Sequence, residues 1–527
     1  MMPMSPRRFE YTGPLPPSRF NMAAYCLQPG APREPDRTAL VVVTDAAADP
    51  AHAQHWSYAE LDQAVRRIAT GLRDLGLQPG QRVMLRLGNT ADYPLLFFGA
   101  IAAGLVALPS STQLTPEEAH FLLGDSGASA LAMTDELAID APPGVGVITP
   151  AQVQTWRNEA DEAEYADTEA EQPAFLVYTS GTTGQPKGVV HAHRSAWGRR
   201  PMYDGWYGLD ASDVMLHAGA FNWTYTLGVG LTDPWANGAT SVIYNGPKDP
   251  AVWPALMQAH QATLFAAVPG VFRQILKYAD VAAADLSRLR HGLVAGEALT
   301  PTLYHQWRQA TGKELYEALG MSECSTFISA GPHVPTRPGQ PGRPQPGRCV
   351  AVLPTDGGCD PVPSGTVGLL AVHRSDPGLM LGYWQRAEEE DEVYRGEWFI
   401  GGDLVHLDED GYVAFHGRRD DVMNAMGYRV SPLEVEACLA QHPLVADVAV
   451  TELPVSEGVS VIAAFVVVHD PDDPESFDAA AVMAHAAEHL AGYKRPREVI
   501  FVDALPRTAN GKVRRRDLVE HPWRGSV

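Results

Sequence analysis

The stretch Tyr178-Thr-Ser-Gly-Thr-Thr-Gly-Gln-Pro-Lys-Gly188 decides how the rest of the chain is read, because it gathers flexible backbone, hydroxyl side chains and one lysine in a single tight loop. The preceding Phe175-Leu-Val-Tyr178 reads as a buried strand. Gly181, Gly184 and Gly188 carry no Cβ to hold backbone N–H groups away from phosphate oxygens. Thr179, Ser180, Thr182 and Thr183 add hydroxyl donors, and Lys187 adds a mobile point charge. No Gly-Lys-Ser/Thr triplet is present and Lys187 follows Pro186, so this is not a Walker A sequence. A Gly/Thr-rich stretch taken alone is also a flexible turn; the length and order of this one favour a phosphate cradle.

The chain has 527 residues, 45% hydrophobic and 20% charged, enough for more than one buried core. A formal charge of −23 and a pI near 5.2 argue against nucleic-acid or anionic-membrane partners, which need a basic surface. The five cysteines are dispersed without metal-ligand spacing, as in a reducing cytoplasm. Arg7-Arg8 invites a twin-arginine reading, but residues 11–19 are Pro-rich and polar, so no export is expected. The longest apolar run, 95–108, is shorter than a bilayer span of about 20 residues. It reads as a buried helix leading into a strand, and no membrane span is expected.

Elsewhere helix and strand patterns alternate. Ser57 and Glu60 form a capping box, followed by Leu61, Val65, Ile68 and Leu72 at core spacing and Gly76 as a stop; residues 82–87 then read as a strand. Helical units are expected at 190–206, 250–277 and 301–311, flanked by apolar strands such as 241–244 and 264–268. That is an α/β architecture with buried sheets. After Gly365 the texture becomes β-rich, with a hairpin turn at Asp408-Glu-Asp-Gly411. The tail reads as helix 432–439, strands 445–452 and 461–468, and helix 478–490.

Three more motifs accompany the loop: Leu319-Gly-Met-Ser-Glu323; Trp398-Phe-Ile-Gly-Gly-Asp403 followed by His416-Gly-Arg-Arg-Asp-Asp421; and Pro506-Arg-Thr-Ala-Asn-Gly-Lys512. In this order, across most of the chain, they resemble the adenylate-forming superfamily of acyl-CoA synthetases, adenylation domains and luciferases. The likeness is greatest to the benzoate-CoA ligase and medium-chain acyl-CoA synthetase branch. It implies a large N-terminal adenylation domain, 1–419, built from several α/β subdomains plus a β-rich one, and a small mobile α+β C-terminal domain, 420–527. It also implies an ATP-dependent carboxylic acid:CoA ligase that works through an acyl-AMP intermediate.

Joining a carboxylate to ATP brings two anions together, so the site must neutralise charge. On the resemblance, catalysis falls to Lys512, Lys187 and Glu323, with Glu323 holding Mg2+. ATP and AMP are bound by Thr179, Ser180, Gly181, Thr182, Thr183, Gly184, Lys187, Gly296, Glu297, Glu317, Ala318, Leu319, Ser322, Asp403 and Arg418. Leu319 stands where many relatives carry a tyrosine, so aliphatic and backbone contacts replace a ring stacked on adenine. Asp420 is the hinge, and Gly427 and Tyr428 line the coenzyme A tunnel. By pattern alone Glu323 is also a surface glutamate, Lys512 a solvated turn lysine, and Gly427 a helix-entry glycine before a Ser431/Glu434 capping box.

Phe221, Trp223 and Tyr225 alternate ahead of a Gly-rich helix and resemble the acid-pocket segment, with Ala295, Gly320, Met321 and Cys324 as further lining. Such a stripe also suits a core. As a pocket it favours a compact aromatic, alicyclic or short-to-medium-chain acid. The alternatives are an adenylation enzyme charging a carrier protein and an inactive nucleotide sensor. A homodimer and acetylation of Lys512 are further expectations.

Overall fold

The computed structural model describes residues 13–179, 186–247, 249–419, 423–425, 428–456, 459–490, 492–508 and 513–520. The Ser57/Glu60 capping box forms reciprocally and opens the helix Tyr58–Asp74, which buries Leu61, Val65, Ile68 and Leu72. Gly76 follows at φ +83°. This helix crosses Asp92–Ala102 closely at Gly99, where a Cβ would lie 2.5 Å from Ile68 Cγ2. Both helices share one core with Leu40, Val42 and Ile243 of one sheet and Val83, Leu85, Ala107 and Phe175 of another. The apolar run 95–108 is thus helix, then the strand Val106–Pro109. Among the described residues no helix is long and apolar enough to cross a membrane.

The first sheet has nine strands. Its six parallel central strands run in the spatial order Glu314–Met321, His291–Ala295, Leu264–Ala267, Val214–His217, Thr240–Tyr244 and Thr38–Val43. The second has seven, in which Pro173–Thr179 pairs antiparallel with Lys187–Ala192 and parallel with Val106–Pro109. A third, antiparallel sheet is built on Trp398–Leu407, whose hairpin partner Val413–Arg418 follows the expected turn. In the tail, Val445–Ser456, Val459–Val468 and Glu498–Phe501 form a three-stranded sheet. The helices Pro432–Leu439 and Ala479–His489 share its core through Val435, Leu439, Val482 and Ala486.

Three local expectations are corrected. The segment 190–206 is not one helix: Val189 and Val190 pair with Val177 and Leu176 in a strand, and only short helical turns follow. β-Branched residues beside an open strand edge prefer that pairing. The unit 250–277 divides into Val252–Ala259, the strand Leu264–Ala267 and Pro269–Tyr278, because Pro269 holds Val268 extended at φ −76°, ψ 156°. Ser431 does not cap its helix; its hydroxyl donates to the His416 carbonyl, while Glu434 pairs with Lys494.

Candidate active site

The carboxyl ends of parallel strands are where open α/β sheets bind ligands, and here that edge carries His217, Ala295–Glu297 and Ala318–Gly320. Gly296 sits at φ +96°, a region only glycine occupies freely, and a Cβ there would lie 3.0 Å from Trp223 Cη2. The Trp223 ring therefore lies directly over the chain turn that leaves strand His291–Ala295. Trp223 meets Tyr225 edge-on at 5.3 Å between centroids. Tyr225 is buried with Ala295, Ala318, Leu293 and Trp206. Glu297 pairs with Arg273 at 3.3 Å.

Glu317 faces inward. Its carboxylate accepts from the Leu299 N–H at 3.0 Å, holding the 296–299 turn against the next strand. It supports this turn through that hydrogen bond. Burial pushes its pKa up from 4.5 to about 8, against the opposing effect of that hydrogen bond. Between those values the folded protein holds a proton that the unfolded chain has released, so the associated stability is complete below the unfolded pKa and lost as pH rises towards 8. Glu317→Gln should flatten this dependence. Denaturant melts between about pH 5 and pH 8 should show wild type losing at least ~1 kcal/mol more than the variant; parallel curves would mean that Glu317 is ionised throughout.

On the second sheet, Thr179 pairs with Lys187, so the loop between them is closed at its base by a hairpin. Its residues Ser180, Gly181, Thr182, Thr183 and Gly184 lie outside the described residues. Gly188 is not part of a cradle: it is a strand residue where a Cβ would lie 2.9 Å from Leu176 Cδ1 and 3.1 Å from Trp384 Cβ. The Lys187 ammonium group forms an ion pair with Glu389 and lies 5.5 Å from the centre of the Tyr383 ring. Tyr383 in turn donates to Glu323 Oε1 at 2.6 Å. Lys187, Tyr383 and Glu323 thus form one track, and Glu389 occupies the lysine at its end.

Neither Tyr383 nor Glu389 was anticipated from the sequence. Tyr383 lies in a two-residue strand, Gly382–Tyr383, that adds to the edge of Lys187–Ala192.

Glu323 follows the strand Glu314–Met321, in the tip of its hairpin with Ser325–Ser329. The hairpin is tight: a Cβ on Gly320 would lie 2.2 Å from the Ser325 carbonyl oxygen. The Ser322 carbonyl accepts from His191 Nε2 at 2.9 Å. Asp403 and Arg418 are cross-strand neighbours with Arg418 Nη1 3.2 Å from Asp403 Oδ1, and the aspartate is nearly buried.

Several expected pocket residues also pack into cores. Phe221 joins the core between the two large sheets, 5.5 Å from the Tyr93 ring, while its ring lies 6.3 Å from that of His217. Met321 covers Gly401, its Cε 2.8 Å from where a Cβ would stand, and Leu319 packs with it on the core of the third sheet. Cys324 is buried in that same core, its thiol pushed up by desolvation. The reason is alternation at a hairpin tip: the register shift at Leu319/Gly320 and the positive φ of Ser325 turn Met321 and Cys324 towards the third sheet. Lys512, Asp420 and Gly427 lie outside the described residues, and Tyr428 is described only as the start of the strand Tyr428–Val430.

His217, which sequence reasoning missed, ends a central strand beside the aromatic pair. Its Nδ1 accepts from the Gly219 N–H at 2.8 Å, so Nε2 carries the proton. Among the described residues that buried N–H has no partner, 5.4 Å separates the ring from Tyr225, and burial drops the pKa to about 3. The imidazole is therefore neutral and offers one unsatisfied donor. A polar residue closing an otherwise apolar strand, Val214-Met-Leu-His217, was the available signal.

Comparison with known proteins agrees with this geometry. Residues 27–384 match the AMP-binding enzyme family and residues 434–512 the AMP-binding enzyme C-terminal domain. The 3-hydroxybenzoate–CoA ligase of Aromatoleum sp. (strain CIB) is 31% identical over 479 residues, 88% of this chain and 91% of the relative. The mitochondrial acyl-coenzyme A synthetase ACSM5 of Homo sapiens is 32% identical over 498 residues, 89% and 84%. The anthranilate CoA ligase AuaEII, solved in complex with anthranoyl-AMP, superposes with a TM-score of 0.85 at 29% identity, covering 95% of this chain and 97% of that one. A benzoate CoA ligase from Burkholderia xenovorans LB400 gives 0.84 at 30% identity, with 95% and 100% covered. With its phosphate-loop hairpin, its Lys187–Tyr383–Glu323 track and matches spanning both parts of the chain, the protein belongs to the AMP-binding enzyme family and is an ATP-dependent, AMP-forming acid–CoA ligase.

Proposed function

We propose that this ligase activates a compact aromatic acid bearing a hydrogen-bond acceptor, and that its acid pocket lies between Trp223, Tyr225, Gly296 and His217. The observation that carries this is the buried His217 Nε2–H, which has no partner among the described residues and lies beside the Trp223–Tyr225 pair. An orphaned buried donor costs about 1–3 kcal/mol, and a substituent that accepts from it relieves that cost. The hydroxybenzoate, anthranilate and benzoate ligases among the relatives support the compact size.

Lys187 and Lys512 neutralise the approaching anions, Asp403 and Arg418 take the ribose, and residues 296–297 and 318–319 border the adenine. Glu323 fits magnesium: Tyr383 holds one carboxylate oxygen, and among the described residues no hydrogen bond occupies the other, a hard donor of the kind this ion takes. When bound, the ion would offset phosphate charge. Residues 1–419 and 420–527 act as two domains hinged at Asp420, with Gly427 on the coenzyme A path. The five free cysteines support a cytoplasmic location.

The test is kcat/KM for CoA-dependent AMP release across benzoate, its hydroxy and amino derivatives, cyclohexanecarboxylate and linear acids. Substituted benzoates should lead for wild type. Trp223→Ala should move the optimum to bulkier or longer acids, each methylene changing discrimination by roughly 1 kcal/mol. An unaltered ranking would assign the aromatic pair to the core.

A further inference from the structure

The small domain carries a cluster that the ligase reaction does not use. Cys438 lies near the end of the helix Pro432–Leu439, and His485 and His489 lie one turn apart on Ala479–His489, the helix packed beside it. Their potential ligand atoms all fall within 4.8 Å of one another. We propose that Cys438, His485 and His489 form a binding site for a zinc-class divalent metal ion, with water completing the coordination.

The chemistry is that of an N/S site: one thiolate and two imidazoles suit zinc and exclude magnesium and calcium, which take oxygen. The hydrogen bonds around the cluster also prepare both rings. His485 Nε2 donates to the Cys438 carbonyl at 3.1 Å and His489 Nδ1 to the His485 carbonyl at 2.9 Å. A carbonyl only accepts, so each neutral ring keeps its lone pair on the other nitrogen. Such a second partner is what metal-bound histidines generally have, and each ring would coordinate through the nitrogen that its hydrogen bond leaves free.

His442 lies 5.3 Å from the His485 ring, but its Nδ1 accepts from the Leu444 N–H at 3.3 Å, so it is not oriented as a third imidazole ligand. Bonds of about 2.0–2.3 Å to a tetrahedral ion require ligand atoms roughly 3.3–3.8 Å apart. The cluster therefore has to tighten by about 1 Å, and His489, which is exposed, has the rotamer freedom to do so. Coordination replaces the thiol proton, which is released to solvent. The ion would join the two helices within one domain, leaving rotation of that domain free.

Cobalt(II) reads out this ligand set directly. The full-length protein, stripped with chelator, should bind one equivalent of Co2+ with a thiolate charge-transfer band, and Zn2+ should displace it and raise the unfolding midpoint. Cys438→Ser should abolish the band. His489→Gln, at an exposed position that cannot endanger folding, should weaken Zn2+ binding by at least the 10–100-fold that losing a supporting partner alone costs. No saturable binding by wild type at micromolar metal would overturn the proposal. So would an undiminished affinity in Cys438→Ser or in the Cys438→Ser/His485→Gln/His489→Gln variant, because the metal would then be held elsewhere.

Discussion

Lys512→Ala should lose acyl-AMP formation by on the order of 10²-fold or more, equivalent to about 2.7 kcal/mol of transition-state stabilisation, while converting supplied acyl-AMP to thioester at a near-normal rate. Two unit charges 4 Å apart interact by about 4 kcal/mol at the effective dielectric of a protein surface, so a carboxylate meeting a triphosphate needs local positive charge. In the proposed site Lys187 provides one such charge from the hairpin, where it is paired with Glu389. The other, on the proposed mechanism, is Lys512 of the tail, presented for the first step and withdrawn for the second. Gly427→Trp should show the opposite pattern, retaining pyrophosphate exchange while blocking acylation of coenzyme A. Both residues lie outside the described part of the chain, and the expectation rests on their motifs. Equal losses of both half-reactions in both variants would contradict alternation of the small domain.

Asp233→Ala should destabilise the protein by about 3–5 kcal/mol, as removal of one partner from a buried ion pair does. Asp233 is fully buried and accepts from Arg199 Nε at 2.7 Å and Nη2 at 2.6 Å, with the Tyr207 hydroxyl adding a third bond at 2.7 Å. The Arg199 guanidinium lies across Gly228, where a Cβ would come within 1.9 Å of Nη2. This pair fastens the segment that begins at Trp223 to the turns around 199–207, and so holds the wall of the proposed pocket. Arg199→Met combined with Asp233→Leu should recover much of the loss, because no charge is then stranded. Denaturant midpoints for the single and double variants make the comparison. A single variant within 1 kcal/mol of wild type would mean that water reaches the guanidinium.

Local signals were the legible part of this fold. The capping box at Ser57, the turn at Asp408–Gly411 and the helices Pro301–Thr311 and Pro432–Leu439 all lie where their spacing puts them. What was lost depended on partners far away in sequence. Ser431 has a capping pattern, yet its hydroxyl finds the His416 carbonyl 15 residues back. Cys324 follows a motif expected to border a ligand, yet a one-residue register shift turns it into the third sheet's core. Tyr383 and Glu389 reach Glu323 and Lys187 only because a two-residue strand adds to an edge about 190 residues upstream, and such pairings leave no periodic trace. His217 was readable in principle, as the one polar residue at the mouth of an apolar strand.

The most direct measurement follows one oxygen atom. The preferred acid of the panel, labelled with oxygen-18 in its carboxylate, is turned over with ATP, Mg2+ and coenzyme A. If that carboxylate attacks the α-phosphorus and the thiol then attacks the acyl carbonyl, the released AMP carries one labelled oxygen and the pyrophosphate none. Label in pyrophosphate or in inorganic phosphate, or unlabelled AMP, would contradict an acyl-AMP intermediate in this site.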